Sequence, residues 1–361
     1  MRFPMREESL VFLRQLLETP GPSGFEAPAA RVWRDYAERH AAEVRTDMSG
    51  NSIARLNADA TGPCVLIAGH IDQIGLLITH INGDGTLAFR AIGGWDDQIL
   101  TGQRVQIIAK GGPIYGVIGR VPAHSLKGDA KHQAASIESL FIDIGADDAA
   151  TTASRVRPGD PAVVEQPILM LTDDRIAARG LDNRAGAFVA IETLRLLKES
   201  DATYADVYAV ATVAEEIGSS FRGARTVTTA LQPTIAFALD VTFATDRPGG
   251  DAQEFGEHKL GSGPAIARGG LTNPSLAELL IATAIEENIP YTIEPLPRST
   301  GTDADGIAVA GTGTAVAVVS FPNRYMHSPN EVCSLMDLEA SARLLAATIR
   351  AITPTTDFTP R

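Results

Sequence analysis

Short apolar runs, each followed closely by an acidic or imidazole side chain, are the feature that most constrains the fold of this chain. Runs such as CVLIAG, VYAVATVA, TIAFAL and AVAVVSF alternate with helical patterns, which is typical of buried strands in a parallel sheet. In such sheets the working site lies at the carboxyl ends of the strands. The side chains expected to converge there are His70, Asp182, Glu216, Asp240 and His327.

This set of side chains predicts a metal site. It contains two imidazoles and three carboxylates, and both kinds of group are good ligands for zinc-like cations. If one carboxylate is shared, the set suits a pair of divalent cations. A lone histidine after a strand would not justify this prediction, which depends on the acidic partners at matching strand ends.

The composition argues against several classes of partner. A formal net charge of -13 disfavours binding to nucleic acid or to an anionic membrane, because either normally requires a basic face. The only two cysteines, Cys64 and Cys333, give no disulfide framework and favour a reducing compartment. The opening MRFPMREESL has no apolar stretch of signal-peptide length, and no run approaches the roughly 20 residues of a membrane span. We therefore expect a cytoplasmic protein.

A change of pattern after His70 predicts two domains. GLLITHI and TLAFRAI flank the turn NGDG, and RVQIIAK and IYGVIGRV flank GGP, which are hairpin signals rather than strand–helix units. Strand–helix alternation returns near Leu169. The chain of 361 residues is long enough for two domains. We predict an α/β domain of residues 1–72 and 168–361, interrupted by a β-rich insert of residues 73–167.

Eight short motifs carry a resemblance to a known family. In chain order they are GHIDQIGLLIT, GGWDDQILTGQRV, FIDIGA, RGLDNRAG, TVAEEIG, ALDVT, TGTDADGIA and RYMHSPNEV. They resemble the tetrahedral (TET) and glutamyl aminopeptidases, a family of dinuclear metallopeptidases, over nearly the whole chain. The resemblance implies an α/β zinc-peptidase domain with a mixed, largely parallel sheet flanked by helices. It also implies that the insert is a β-barrel that pairs subunits, and that the dimers assemble into a tetrahedral dodecamer.

The resemblance assigns each candidate ligand a position. His70 and Asp240 would hold one metal, Glu216 and His327 would hold the other, and Asp182 would bridge the two. A bridging carboxylate is physically reasonable because two dications about 3.5–4 Å apart repel each other strongly. Zinc is the preferred metal, with cobalt and manganese as alternatives, because these cations accept overlapping ligands.

Two further acidic residues have roles by resemblance. Glu215 would take a proton from the attacking water and return one to the departing amine. Asp72 would orient the imidazole of His70 and raise its basicity. Adjacent residues on a regular strand point to opposite faces, so the backbone must turn for both Glu215 and Glu216 to reach the site. The family also often has a cis peptide after the bridging aspartate, here Asp182–Asn183.

Other polar motifs are interpreted as structural. TDADG resembles part of a calcium loop but lacks the spaced third acid and the terminal glutamate. A turn leading into a helix, with Thr302 and Asp303 bracing the site, is favoured. The histidines His124 and His132 flank a segment of loop-like composition, so a solvated loop is favoured over a metal site. GTGTA around Gly311 lacks dinucleotide-loop spacing and is interpreted as a turn.

The function implied by the resemblance is a metal-dependent aminopeptidase that removes amino-terminal residues from short peptides. A related amide hydrolase acting on acylated amino acids or peptide derivatives is the alternative, and a non-catalytic assembly protein is less favoured. A glycosidase is disfavoured because glycoside hydrolysis gives no reason for five converging metal ligands. The chain has Gln73 where the family usually has glutamate, and a longer segment, IGSSFRGA, after Glu216. These departures leave the preferred side chain open.

Overall fold

The computed structural model describes residues 5–122, 125, 135–200, 203–218 and 220–359. Within them the helices are α1 (Glu7–Glu18), α2 (Ala27–Ala37), α3 (Ala149–Ala153), α4 (Leu181–Ser200), α5 (Arg222–Leu231), α6 (Ala252–Phe255), α7 (Pro274–Glu286), α8 (Asp303–Ala308) and α9 (Leu335–Ala351). The first strands are β1 (Glu43–Thr46), β2 (Ser52–Arg55), β3 (Cys64–His70), β4 (Gly75–Ile81), β5 (Leu87–Ile92), β6 (Arg104–Ala109), β7 (Gly112–Arg120), β8 (Leu140–Asp143) and β9 (Pro161–Val164). The others are β10 (Leu169–Met170), β11 (Arg175–Ala178), β12 (Asp206–Thr212), β13 (Ile235–Phe243), β14 (Ala265–Arg268), β15 (Thr292–Pro295), β16 (Ala315–Asn323) and β17 (Glu331–Ser334).

Eight strands form the main sheet in the order β1-β2-β12-β3-β13-β16-β14-β15. The central strands β12, β3, β13 and β16 are parallel to their neighbours within this group. Strand β2 is antiparallel to β12, and β14 is antiparallel to β16. The sheet is therefore mixed, with its parallel part at the centre, where the long apolar runs predicted it.

Helices cover both faces of this sheet, which explains why its central strands are apolar throughout. Along β3, Val65 and Ile67 pack into a core with α1, α2, α4 and α9. The alternate residues Leu66 and Ala68 pack into a second core with α5 and α8. A strand buried on both faces has no polar side, so it is a continuous hydrophobic run.

Six strands close into a barrel in the order β4-β5-β8-β7-β6-β9. The two predicted hairpins are present as the antiparallel pairs β4–β5 and β6–β7. The barrel has its own apolar core, which includes Leu76, Phe89 and Ile142. Closure leaves these strands without free edges in water. The exact domain boundaries, at 72/73 and 167/168, stay a prediction.

Some elements were not anticipated. The short strands β10, β11 and β17 form a separate sheet, and β14 and β15 extend the main sheet beyond β16. Each has four residues or fewer, too few for a period-two pattern to be recognisable. The sequence predicts a helix from about Ala27 to Ala42, but α2 already ends at Ala37.

Two further expectations concern regions away from the site. Within the described ranges, no helix combines the length and the apolar character needed to cross a membrane. His124 and His132, for which a solvated loop was predicted, lie outside the described residues.

Candidate active site

The carboxyl ends of three neighbouring strands bring candidate ligands to one edge of the main sheet. His70 is the last residue of β3 and is paired in register with Thr212, the last residue of β12. Asp240 lies in the second half of β13. Asp182 lies at the start of α4, which packs against β3, β12 and β13. The candidate ligands converge because these strands are parallel neighbours and end at the same edge of the sheet.

Asp182 lies between the two histidines. Its Oδ1 is 3.3 Å from Nε2 of His70, and its Oδ2 is 3.4 Å from Nε2 of His327. The same nitrogen of His327 is 3.2 Å from Oε2 of Glu216. One carboxylate thus faces an imidazole with each of its oxygens, which is the arrangement that a bridging ligand requires.

The remaining candidate ligand, Asp240, lies close to His70 and Glu215. Ligand atoms of His70, Glu215 and Asp240 lie within 4.8 Å of one another, as do those of His70, Asp182 and Glu216. The structure therefore brings all five candidate ligands, together with Glu215, into one cluster. It places Glu215 Oε2 3.8 Å from Nε2 of His70.

Asp72 organises the site through its buried carboxylate. Its Oδ1 is 3.5 Å from Nδ1 of His70, the ring nitrogen opposite to the one beside Asp182, and the backbone carbonyl oxygen of Asp72 is nearer to that nitrogen, at 3.2 Å. The carboxylate also accepts hydrogen bonds from the backbone N–H groups of Glu215 and Glu216, each at 3.2 Å, and from the hydroxyl of Ser23 at 2.5 Å. Asp72 therefore orients the imidazole of His70, and its carboxylate fixes the backbone of both glutamates.

The backbone turn needed at Glu215 and Glu216 is present. Strand β12 ends at Thr212, and Ala214 has a φ of 59° in the left-handed region. As a result both glutamate side chains line the same cavity. The peptide bond Asp182–Asn183 is cis, which the resemblance implied.

Glu331 is a site residue that the sequence analysis missed. Its buried carboxylate accepts hydrogen bonds from the backbone N–H of Asp182 at 2.8 Å and from that of His327 at 3.0 Å. It thereby holds the backbone of two candidate ligands. The available signal was an acid in the segment EVCS, four residues after His327, because a glutamate in a short buried strand needs polar partners.

The turn at Thr302 supports the site as expected. The hydroxyl of Thr302 accepts a hydrogen bond from the N–H of Ala304 and caps α8. The carboxylate of Asp303 accepts a hydrogen bond from the hydroxyl of Thr212, next to the end of β3. Burial raises the pKa of Asp303 to about 6.

Carboxyl groups are crowded in this cluster, and their pKa values reflect it. Burial, reinforced by the charges of Asp240, Asp303 and Asp182, raises the pKa of Glu215 to about 10. Burial likewise raises the pKa of Glu216 and, to a greater extent, that of Asp240.

The pKa values of the two histidines also rise, but the neighbouring carboxylates rather than burial raise them. Burial acts to lower the pKa of His327, but Asp182 and Glu216 outweigh it and raise the pKa to about 11. For His70, burial is likewise outweighed by nearby carboxylates, so its pKa also rises. The cluster thus carries more buried negative charge than its imidazoles can balance at neutral pH without bound protons.

Divalent cations fit this donor set. Oε1 of Glu216 is buried and has no hydrogen-bond partner within the described part of the chain. Imidazole nitrogens and carboxylate oxygens converge around it, and these are the donors that zinc-like cations prefer. Bound cations would also compensate the excess negative charge.

The cluster forms part of a cavity of about 500 Å³. Besides the charged cluster, apolar side chains line it, among them Phe221, Val241, Phe243, Phe255, Leu296 and Met326. The segment after Glu216 contributes Gly218 and Phe221 to the lining. Gln73 is not part of it, because its side chain is buried and accepts a hydrogen bond from Arg179 at 2.9 Å.

Comparison with known proteins identifies the family. The model of the M42 glutamyl aminopeptidase family matches residues 50–344. A lysyl aminopeptidase of Pyrococcus furiosus is 36% identical over 358 residues, which cover 96% of this chain and 98% of that protein. The chain belongs to the M42 glutamyl aminopeptidase family. This confirms the resemblance and the predicted reaction class, a peptidase that acts at the amino terminus.

Solved structures agree with the fold of this M42 peptidase. The TET aminopeptidase of a marine sediment archaeon, Thaumarchaeota archaeon SCGC AB-539-E09, has a TM-score of 0.91 and 32% identity, covering 96% of this chain and 98% of that one. A TET peptidase of Pyrococcus horikoshii, which can assemble into a tetrahedron or a large octahedral shell, has a TM-score of 0.82 and 32% identity, covering 94% and 98%. The predicted fold class, a mixed α/β domain interrupted by a β-barrel, is confirmed.

Proposed function

We propose that this M42 peptidase removes the amino-terminal residue of short peptides with the help of two divalent metal ions. The position of Asp182, with one oxygen facing each histidine, is the observation that carries the proposal. His70 and Asp240 would hold one cation, Glu216 and His327 the other, and Asp182 both. When bound, two such cations polarise the scissile carbonyl and make a water molecule more acidic. Zinc is the preferred metal, with cobalt and manganese as alternatives.

Glu215 is proposed to move the protons of the reaction. Its side chain lines the cavity beside His70, and a carboxylate there can accept the proton of the attacking water and return it to the departing amine. Without cations, burial raises the pKa of Glu215 to about 10, and bound cations would favour the ionised carboxylate that this role requires. Asp72 acts as a positioning residue, because its contacts are to His70 and to the backbone of the two glutamates.

The proposed assembly is a homo-oligomer in which barrels pair subunits and dimers form a tetrahedral dodecamer. Strand β7 of the barrel presents Tyr115 and Val117 with 59% and 48% of their surface exposed. Apolar side chains exposed on neighbouring positions of one strand are typical of a contact surface. Enclosed active sites would admit short peptides and exclude folded proteins.

A reducing compartment, the cytoplasm, is proposed for the protein. Both of its cysteines, Cys64 and Cys333, are free thiols. Proteins of oxidising compartments commonly use cysteines in disulfides.

The experiment that tests the proposed function compares substrates with free and blocked amino groups. Protein stripped with a chelator and reloaded with zinc, cobalt or manganese is assayed on aminoacyl reporters and on their N-acetyl forms. An aminopeptidase hydrolyses only the free amines and loses activity with the chelator. Hydrolysis of the acetylated forms would instead favour the alternative, an amide hydrolase acting on acylated amino acids or peptide derivatives.

A further inference from the structure

One acidic residue lies in the active-site cavity but outside the metal cluster. Glu294, on β15, lines the same cavity as His70 and Asp182. Glu294 is buried, with only 8% of its surface exposed. Among the described residues that line the cavity, there is no lysine or arginine to balance its charge.

Only one oxygen of Glu294 has an established hydrogen-bond partner. The hydroxyl of Thr242 donates to Oε1 at 2.5 Å. The other oxygen, Oε2, is buried and has no hydrogen-bond partner in the described part of the chain. Burial raises the pKa of the carboxyl group, and the hydroxyls of Thr242 and Ser320 only partly oppose this rise. A buried acceptor without a partner costs about 1–3 kcal/mol in general, so such atoms in native proteins call for an explanation.

The nearby histidine does not serve as the missing partner. Nδ1 of His258 is 2.7 Å from the hydroxyl of Thr292, and its Nε2 is 2.7 Å from the carbonyl oxygen of Phe255. Both ring nitrogens are therefore engaged elsewhere. His258 therefore leaves Oε2 of Glu294 without a donor, in a side chain that lines the cavity.

We propose that Glu294 selects substrates with a basic amino-terminal residue, and lysine above arginine. This inference rests on the proposed aminopeptidase function and names the substrate class of the same site. An exopeptidase needs to enclose one side chain, that of the residue it removes, while the remaining peptide extends to solvent. The part of the cavity that holds Glu294 serves as that enclosure.

The walls of the enclosure suit a lysine side chain. Phe243 and Phe255 lie against each other with ring centroids 4.8 Å apart, and Leu296 also lines the cavity. Lysine has a long apolar stem and a charged end, so it can pack its methylene groups on such walls while its ammonium group meets a carboxylate. A carboxylate buried in an apolar wall binds an incoming cation strongly because water screens the pair poorly.

Lysine is favoured over arginine because only one carboxylate oxygen of Glu294 lacks a hydrogen-bond donor. A guanidinium group achieves its best recognition of a carboxylate when it binds both oxygens in parallel. In Glu294, Oε1 already accepts a hydrogen bond from the hydroxyl of Thr242, which competes with a guanidinium group at that oxygen, so only Oε2 has no donor in the described part of the chain. A compact ammonium group needs only that one.

The test compares five coumarin reporters on the metal-loaded, full-length enzyme: lysyl, arginyl, norleucyl, Nε-acetyl-lysyl and glutamyl. Norleucine has an unbranched aliphatic side chain without the charge, and Nε-acetyl-lysine keeps the length of lysine but loses the charge. We expect kcat/KM for the lysyl reporter to exceed that for both uncharged analogues by about 30-fold or more. The arginyl reporter should fall between them, and the glutamyl reporter should be the poorest.

A pair of variants tests the residue itself. Glu294→Gln keeps an oxygen for Thr242 but removes the charge, so kcat/KM for the lysyl reporter should fall by about 30-fold or more while that for norleucyl changes little. The matched control is Glu254→Gln, an exposed glutamate beside Phe255 in α6, which should leave both values unchanged. Circular dichroism and light scattering establish that each variant is folded.

The possible negative results distinguish a wrong specificity from a wrong function. If the wild-type enzyme cleaves the norleucyl reporter as well as the lysyl reporter, or if Glu294→Gln lowers both equally, the proposed specificity is wrong and the aminopeptidase function stands. The wild-type comparison decides this even when the variant does not fold. If no free-amine reporter is cleaved under any metal loading, the proposed function fails and the specificity with it.

Discussion

At the scale of single residues, two buried carboxylates position the groups that carry the proposed chemistry. Asp72 accepts hydrogen bonds from the N–H groups of Glu215 and Glu216, and Glu331 accepts them from those of Asp182 and His327. Charge-assisted bonds of this kind are stronger than neutral ones. The proposed ligands are thus held by their backbones as well as by their packing.

Replacement of Glu215 by glutamine is expected to abolish most turnover without loss of fold or metal. The amide has nearly the shape of the carboxyl group but cannot accept the proton of water, so kcat should fall by about 100-fold or more. Steady-state kinetics on an aminoacyl reporter, with metal content measured on the same sample, checks this. Glu286→Gln, at an exposed position of α7, is the control. Turnover near the wild-type level would remove Glu215 from its proposed role.

The metal content of the site is a second prediction at this scale. Chelator-stripped protein that is reloaded and dialysed should retain two divalent cations per chain, as measured by plasma mass spectrometry. Asp182→Asn loses the negative charge between the cations and should retain fewer than two. The control His80→Ala changes an exposed histidine of the barrel and should retain both. Full retention in Asp182→Asn would argue against a bridging role.

At the scale of elements, the site depends on direct contact between β3 and α4. A Cβ at Gly69 would lie 2.4 Å from the carbonyl carbon of Gly186 and 2.6 Å from the backbone nitrogen of Ala187. Only glycine allows the end of this strand to approach the helix backbone so closely. Gly69 immediately precedes His70 in β3, and Gly186 follows Asp182 by one turn in α4. The contact therefore helps to set the separation of His70 and Asp182.

Gly69→Ala should therefore damage both stability and activity. The added methyl group must push the helix from the strand, which we expect to lower the free energy of unfolding by about 1–3 kcal/mol. Activity should fall further than the loss of stability explains, because His70 and Asp182 move apart. Gly83→Ala is the control, since a Cβ at that position meets nothing within 4 Å. Denaturant unfolding and kinetics on both variants separate the two effects, and equal behaviour of the variants would contradict the argument.

At the scale of the whole molecule, the barrel is the part proposed to join subunits. It closes on itself around a separate core, and Tyr115 and Val117 on β7 are exposed. Its strands are confined to a single stretch of the chain between β3 and the small sheet formed by β10, β11 and β17. Such an element can pair subunits without distorting the site.

Light scattering tests this assembly directly. With 38.1 kDa per chain, a dodecamer has six times the mass of a dimer, so the two are readily distinguished. Val117→Glu places a charge on the proposed contact and should reduce the mass, because a like charge is then buried on both subunits. Met48→Glu, at a fully exposed turn position, should leave it unchanged. A monomer at micromolar concentration for the wild-type protein would refute the assembly, whereas a stable dimer would retain only the pairing role.

The sequence by itself determined the residue types and their approximate placement. Long apolar runs can be buried on both faces only in a covered, largely parallel sheet, and the carboxyl ends of such strands meet at one edge. The acids and histidines after those runs were therefore predictable as neighbours. The hairpins of the barrel were predictable because turn residues and alternating patterns are local signals.

Tertiary structure decided how these neighbours are held and what surrounds them. Asp72 and Glu215 are 143 positions apart in the chain, and Glu331 and Asp182 are 149 apart. No local pattern specifies which backbone N–H a distant carboxylate will accept. The free oxygen of Glu294 likewise arises from the packing of β15 near β13, whose Thr242 occupies the other oxygen. Periodicity and turn chemistry act over a few residues, whereas hydrogen-bond partners and cavity walls are set by the packing of remote segments.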